Sequence, residues 1–183
     1  MKRGVQLKGS QYRYGLLARL LHWLVAVLLL SLCGLGFYMT ELSYYDANYK
    51  SSFDLHRSLG ILTASLIGVR LVWALLDQRP PLSPNLTPIE RRAAKSVHHL
   101  LYLIMALLPI AGYLVSTADG RGVEVFGLFT IPAWLPAAKG REEWAGDLHE
   151  GLAITLLVLV VVHVGAALKH HFIDKDDTLK KML

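Results

Sequence analysis

Thiol chemistry is almost absent from this sequence, because Cys33 is the one cysteine in 183 residues. No disulfide can close within the chain, and no cysteine-ligated metal cluster can form. Lying inside an apolar run, Cys33 reads as a small packing residue. Charge is scarce too, at 18% of residues against 54% hydrophobic, which is too apolar a balance for a soluble domain of this length. The chain has no internal repeat and no low-complexity segment. Its proline-rich stretch, RPPLSPNLTP at 79–88, is too short and stiff to be a domain. Acids are missing from the N-terminal tail, which carries Lys2, Arg3, Lys8, Arg13 and Arg19. Signal peptides open this way, but the apolar run that follows exceeds the ~7–15 residues of a signal core, contains His22 and lacks a clear small-x-small cleavage site. The segment is expected to stay in the mature chain.

What the sequence does have is long apolar runs. Four windows, at about 16–38, 58–76, 97–117 and 148–168, reach the roughly 20 helical residues that cross a hydrocarbon core. The expected fold is all-α, an integral membrane four-helix bundle in which residues 1–183 make a single domain. Basic residues near span ends set orientation. The N-terminal tail, the link with Arg79, Arg91, Arg92 and Lys95, and the tail with Lys169, Lys175, Lys180 and Lys181 fall on one side, so both termini are expected in the cytoplasm. The net charge of +5 is then mainly a topology signal, and nothing points to nucleic acid. Residues 118–148 include VFGLFTIPAWLP, whose apolar residues are broken by Pro132 and Pro136. A loop on the outer membrane interface, with Phe126, Phe129 and Trp134 near headgroup level, fits this better than a fifth span.

Histidines carry the chemistry. His149 and His163 are 14 residues apart, about 21 Å of helical rise, and fall within about 40° of one face; His170 continues that face. A lone imidazole in a span is as readily a structural hydrogen-bonding group as a ligand, although ionisable groups in membranes usually face the bundle interior. Depth matching decides between these readings. By helical rise, His22 lies roughly 9 Å inside the first span and His163 roughly 10 Å inside the last, from the same side. His56 and His149 match at the other side. Two histidines facing each other at one depth suit the axial positions of a haem iron. Zinc or copper would be left undercoordinated, with no Cys, Asp or Glu at a matching depth to complete the site. Without a C-x-x-C-H motif the haems are b-type.

Other residues leave alternatives open. Gly34, Gly36, Gly60, Gly68, Gly112, Gly151 and Gly165 suit a flat ring near the backbone, and equally suit helix contacts. Arg70, inside the second span, pairs with a haem propionate or snorkels to headgroups. His98 competes with His22 for one haem from a shallower depth, or stands beside a quinone as a proton donor, or is a satisfied interfacial histidine. His99 shares that last choice, while His170 and His171 lie near a quinone or in solvent.

ARLLHWLVA (18–26), DLHRSLGI (54–61), HHLLYLIMALLPIAGYL (98–114), DLHEGLA (147–153) and HVGAALKHHFIDKDDTLKKM (163–182) together make nearly the whole chain resemble the bacterial cytochrome b561 family. The resemblance implies a di-haem b bundle in the inner membrane, multi-pass, with one haem on His22 and His163 and the other on His56 and His149. It implies electron transfer between a periplasmic donor and the quinone pool, most specifically as a superoxide oxidase that reduces ubiquinone. An anionic substrate would be drawn by Arg57, Lys139, Arg141 or Arg121, against an acidic excess in the outer loops that includes Glu41, Asp46, Asp54 and Asp119. ELSYYDANYKSSF (41–53) shows no anion-site motif. The alternative is a cytochrome b subunit that anchors a larger dehydrogenase or hydrogenase through a periplasmic redox partner.

Overall fold

A computed structural model describes residues 6–183; Lys2 and Arg3 of the basic tail lie outside the described residues. Four long helices run α1 (Leu16–Thr40), α2 (Tyr49–Leu76), α3 (Pro88–Ser116) and α4 (Arg141–Phe172). All four are long and apolar enough to cross a membrane. The protein is a helical membrane bundle as expected, but its helices overrun their apolar windows. At 32 residues, α4 is about 48 Å long against a hydrocarbon core of about 30 Å, so both its ends stand in the polar layers. Its first turn carries Glu142 and Glu143 and its last Lys169, beside His170 and His171; the Glu and Lys charges complement the helix dipole.

Helix starts follow local chemistry. The proline-rich link ends in a capping box: the Thr87 hydroxyl accepts from the Glu90 backbone N–H, while the Glu90 carboxylate accepts from the Thr87 N–H, and Pro88 occupies the first helical position. Proline loses nothing there, because that N–H has no intrahelical partner.

Between α3 and α4 the chain forms a small antiparallel hairpin, β1 (Val123–Val125) with β2 (Phe129–Ile131), in the register Val123↔Ile131. Its turn needs left-handed backbone at Phe126 and at Gly127 (φ 51° and 70°), the twist that joins paired strands without splaying them. The sequence predicts an irregular interfacial loop here. Val123 and Val125 are buried, and the Phe126 N–H donates to Ser58 Oγ on α2 at 3.0 Å. The hairpin is thus fastened to the bundle end. Tyr113 clamps the segment that follows, its hydroxyl donating to the Pro132 carbonyl at 2.7 Å and accepting from the Trp134 N–H at 3.0 Å. We call this the hairpin end.

The opposite, tail end gathers the first described residues, the α2–α3 link and the C-terminal segment. Tyr14 N–H donates to the Lys181 carbonyl at 3.2 Å, the Gly9 N–H to Asp77, Lys181 Nζ to the Pro81 carbonyl and Trp23 Nε1 to the Met182 carbonyl. Lys169 ties α4 to Glu90 at 2.7 Å and to Asp174 at 2.8 Å.

Along the bundle α1 packs on α2 and α3 on α4 most extensively. The buried core joins them midway: Val25 and Leu29, Ile67, Ile104, Met105 and Leu108, and Leu156. On α4, Leu156 lies seven residues from both His149 and His163, so it falls on their face about 10 Å from each. Most of the remaining apolar surface of α4, including Val158, Val161 and Val162, is exposed, as a lipid-facing helix requires.

Candidate functional site

At the hairpin end, α2 and α4 bring His56 and His149 together with ring centroids 6.1 Å apart and planes at 79°. His149 Nδ1 lies 3.0 Å from the Leu108 carbonyl oxygen of α3. A carbonyl only accepts, so this contact assigns the proton to Nδ1 and leaves the Nε2 lone pair free. The ring reaches that carbonyl because residue 112 is glycine: a Cβ there would stand 2.9 Å from His149 Cε1 and 3.1 Å from Nδ1. His56 is held less firmly. Its Nδ1 is buried with no hydrogen-bond partner, and a Cβ on Gly36 would meet its Cε1 at an ordinary 3.5 Å.

At the tail end, His22 of α1 and His163 of α4 stand 6.3 Å apart with planes at 61°. Two imidazoles on opposite sides of one metal ion, each bonded at about 2 Å with the centroid about 1.2 Å behind the nitrogen, put their centroids about 6.3 Å apart. Both pairs have that separation. His98 of α3 approaches His163 more closely, at 5.4 Å and 72°, short of the spacing for a shared ion. Trp23 packs edge-on against His22 at 5.2 Å. Arg70 of α2 bears on His22, His98 and His163 together.

The other residues singled out from the sequence lie further apart. His170 sits 2.7 Å from Asp174 and 3.5 Å from Asp176, inside the tail-end network. His171 packs on Phe172, and His99 is exposed. Arg57 pairs with Asp54 at 2.8 Å and Arg121 with Asp119. Lys139 is exposed and has no acid within ion-pairing distance among the described residues. Arg141 is buried, donating to the Thr117 and Ala118 carbonyls at 2.7 and 3.3 Å, where it ties the end of α3 to the start of α4.

Among the described residues no group of three or more His, Cys, Asp and Glu is placed to hold a metal ion. Two imidazoles alone would leave an ion undercoordinated, and a macrocycle held between either pair would supply the other four donors. A Cβ added at Gly34, Gly60, Gly68, Gly151 or Gly165 meets nothing within 4 Å, and all but Gly60 are exposed, so no neighbouring helix closes on these glycines.

The model of the prokaryotic cytochrome b561 family matches residues 13–183. The chain belongs to that family. Cytochrome b561 homolog 2 of Escherichia coli (strain K12) is 45% identical over 171 residues, 93% of this chain and 91% of the relative. The probable superoxide oxidase CybB of Yersinia pestis is 28% identical over 173 residues, 93% of this chain and 96% of its own. Cytochrome b561 homolog 1 of E. coli (strain K12) is 28% identical over 138 residues, 75% and 78%. As a cytochrome b561 the protein is a multi-pass bacterial membrane electron carrier, and the family implies haem b. Sequence reasoning missed the Leu108 carbonyl as a partner for His149. Pro109 is no signal of it, because the N–H that proline lacks would have bonded the Met105 carbonyl, four residues back, and not that of Leu108.

Proposed function

We propose that this cytochrome b561 holds two haems b, one between His56 and His149 and one between His22 and His163, and carries electrons from a periplasmic donor to ubiquinone across the bacterial inner membrane. The observation that supports this is the repetition of one ring separation, 6.1 and 6.3 Å, at two levels of α4. Haem iron supplies one-electron chemistry at each level. The chain supplies ligation, spacing and charge. The Leu108 carbonyl orients His149 and strengthens it as a ligand, and the Leu156 layer keeps water out between the levels.

The donor we favour is superoxide. Two superoxide ions each give up one electron and leave as dioxygen, and ubiquinone takes those two electrons with two protons to become quinol. Entry belongs at the hairpin end, which faces the periplasm if the basic tail end is cytoplasmic. Of the cations there, Arg57 and Lys139 are solvent-accessible enough to steer an anion, and Lys139 does so without a competing carboxylate. Arg141, spent on two carbonyls, acts by holding the end of α3 in place. His98, exposed beside His163, and His170 are the groups positioned to bring protons to quinone at the tail end.

A second reading, an electron-transfer subunit for a larger dehydrogenase or hydrogenase, is favoured by the pairing of Arg57 and Arg121 with acids, which weakens the field on a small anion. The deciding experiment gives superoxide and ubiquinone to the purified chain. Haem reduction with one quinol per two superoxide supports the enzyme. Two intact haems that ignore superoxide sink it in favour of the subunit.

A further inference from the structure

The tail-end site contains a guanidinium with no counter-charge. Arg70 stands 14 residues beyond His56 on α2, the same interval that separates His149 from His163 on α4. Each helix therefore repeats one face at both levels, but at the tail-end level α2 presents a cation, and the imidazole opposite His163 comes from α1. Arg70 Nε and Nη1 are sealed from solvent and have no hydrogen-bond partner. Among the described residues no carboxylate lies within 4.0 Å of it. Its neighbours are the imidazoles of His22, His98 and His163, the phenol of Tyr14, and Tyr102, whose ring centroid is 6.0 Å from Cζ and whose hydroxyl is within the guanidinium's reach; none is a carboxylate. Tyr14 supplies no anion, because burial holds its hydroxyl above the ordinary tyrosine value.

Nε of Arg19 and of Arg141 is also buried without a partner, but those guanidiniums bond carbonyls through another nitrogen, Arg141 to Thr117 and Ala118 and Arg19 to Leu183, and Arg57 pairs with Asp54; Arg70 has two such nitrogens and neither a carbonyl nor a carboxylate partner among the described residues. A guanidinium does not deprotonate to escape burial, and buried charge is retained where it is paired. Snorkelling would turn its nitrogens toward headgroups, whereas two of these three are shut off among aromatic rings. The missing partner is an anionic oxygen. We propose that Arg70 is the carboxylate-binding residue of the tail-end site, taking a propionate of the haem held by His22 and His163 on the nitrogens the protein leaves open. This rests on the reading that haem occupies that pair. The pairing would fix which way round the macrocycle sits, and would offset a negative charge that otherwise favours ferric iron.

The test is a redox titration of the purified full chain, with the two haems resolved by their optical and electron paramagnetic resonance signals. In Arg70→Gln the tail-end midpoint should fall by the equivalent of about tenfold in the reduction equilibrium, about 59 mV for one electron. The hairpin-end midpoint should stay fixed. Arg70→Lys, which keeps the charge, should recover most of the shift; a merely structural role would not be rescued this way. Unchanged midpoints in Arg70→Gln would overturn the proposal, and unchanged midpoints with a tenfold higher KM for ubiquinone would do so by assigning the anion to reduced quinone instead. Should Arg70→Gln fail to keep the tail-end haem, Arg70→Lys decides: retention at the wild-type midpoint supports the pairing, and loss refutes it. A wild-type chain without tail-end haem would instead fail the underlying reading. A chain with both haems that ignores superoxide leaves this inference standing.

Discussion

The hairpin-end and tail-end histidine pairs have nearly equal ring spacings, 6.1 and 6.3 Å, yet the protein surrounds them differently. His149 is pinned by main chain: its Nδ1–H donates to a carbonyl of α3, and a glycine one turn on leaves just enough room for the ring. The tail-end pair has no such backbone bond among its recorded contacts and is ringed by side chains instead, an arginine, a third histidine and two tyrosines. The first site is therefore defined by shape and should respond to added volume. The second is defined by charge and should respond to substitutions that barely alter volume.

The largest expected effects test whether the pairs are separable at all. His149→Ala should remove the hairpin-end haem and largely spare the other, and His163→Ala should do the converse; one spectrum per variant decides, and either variant with two six-coordinate haems breaks the pairing. Next is the volume test. Gly112→Ala puts a methyl 2.9 Å from His149 Cε1 and should weaken hairpin-end haem binding by roughly 10–100-fold, as loss of a ligand's supporting hydrogen bond typically does. Gly36→Ala, with 3.5 Å of room beside His56, should be close to neutral. Haem transfer to an acceptor apoprotein measures both, and equal losses would mean that the two ligands are held alike.

Smaller effects concern the frame around each site. Arg141→Met removes two buried hydrogen bonds to carbonyls at the hairpin end and should cost about 1.5–3 kcal/mol, read as a lower unfolding midpoint in detergent and faster proteolysis in 117–140. At the tail end Thr87→Ala breaks the capping box, for about 1 kcal/mol. The smallest effect is pH-dependent. Hydrogen bonds from Arg121 hold the Asp119 carboxyl below its ordinary value. Its contribution is present above the unfolded carboxylate value and is lost as pH falls through the lowered one. Asp119→Asn should therefore matter slightly at neutral pH and not at all in strong acid, where a persistent difference would mean that the pair is not the cause.

Much of this was legible in the sequence because bilayers impose length and apolarity together, and histidines inside such runs stand out by depth. The spans and the four pairing histidines were read on that basis. Helix extents were not, since residues such as Tyr49 to Arg57 are helical yet polar, lying beyond the apolar run that gave the second span away. Nor was the hairpin: strands of three residues are shorter than the periodicity that reveals a strand. Arg141, read as an anion-steering cation in a polar loop, is buried against two main-chain carbonyls. Side-chain type told its charge but not its partners. The Leu108 carbonyl was invisible for a deeper reason, since every residue has one and only the fold selects which is left pointing at a ring.

Helix α4 contributes a histidine to both pairs, while α1 and α2 contribute one each. For an evolving lineage this makes the two levels unequal in freedom. A substitution of the histidine on α1 or of the one on α2 alters one pair and leaves the other pair's histidines in place. A change of pitch or tilt in α4 moves both at once and has to be tolerated by both. The shared helix should therefore drift slowest in register, and the diversity of such proteins should accumulate in the helices that face it.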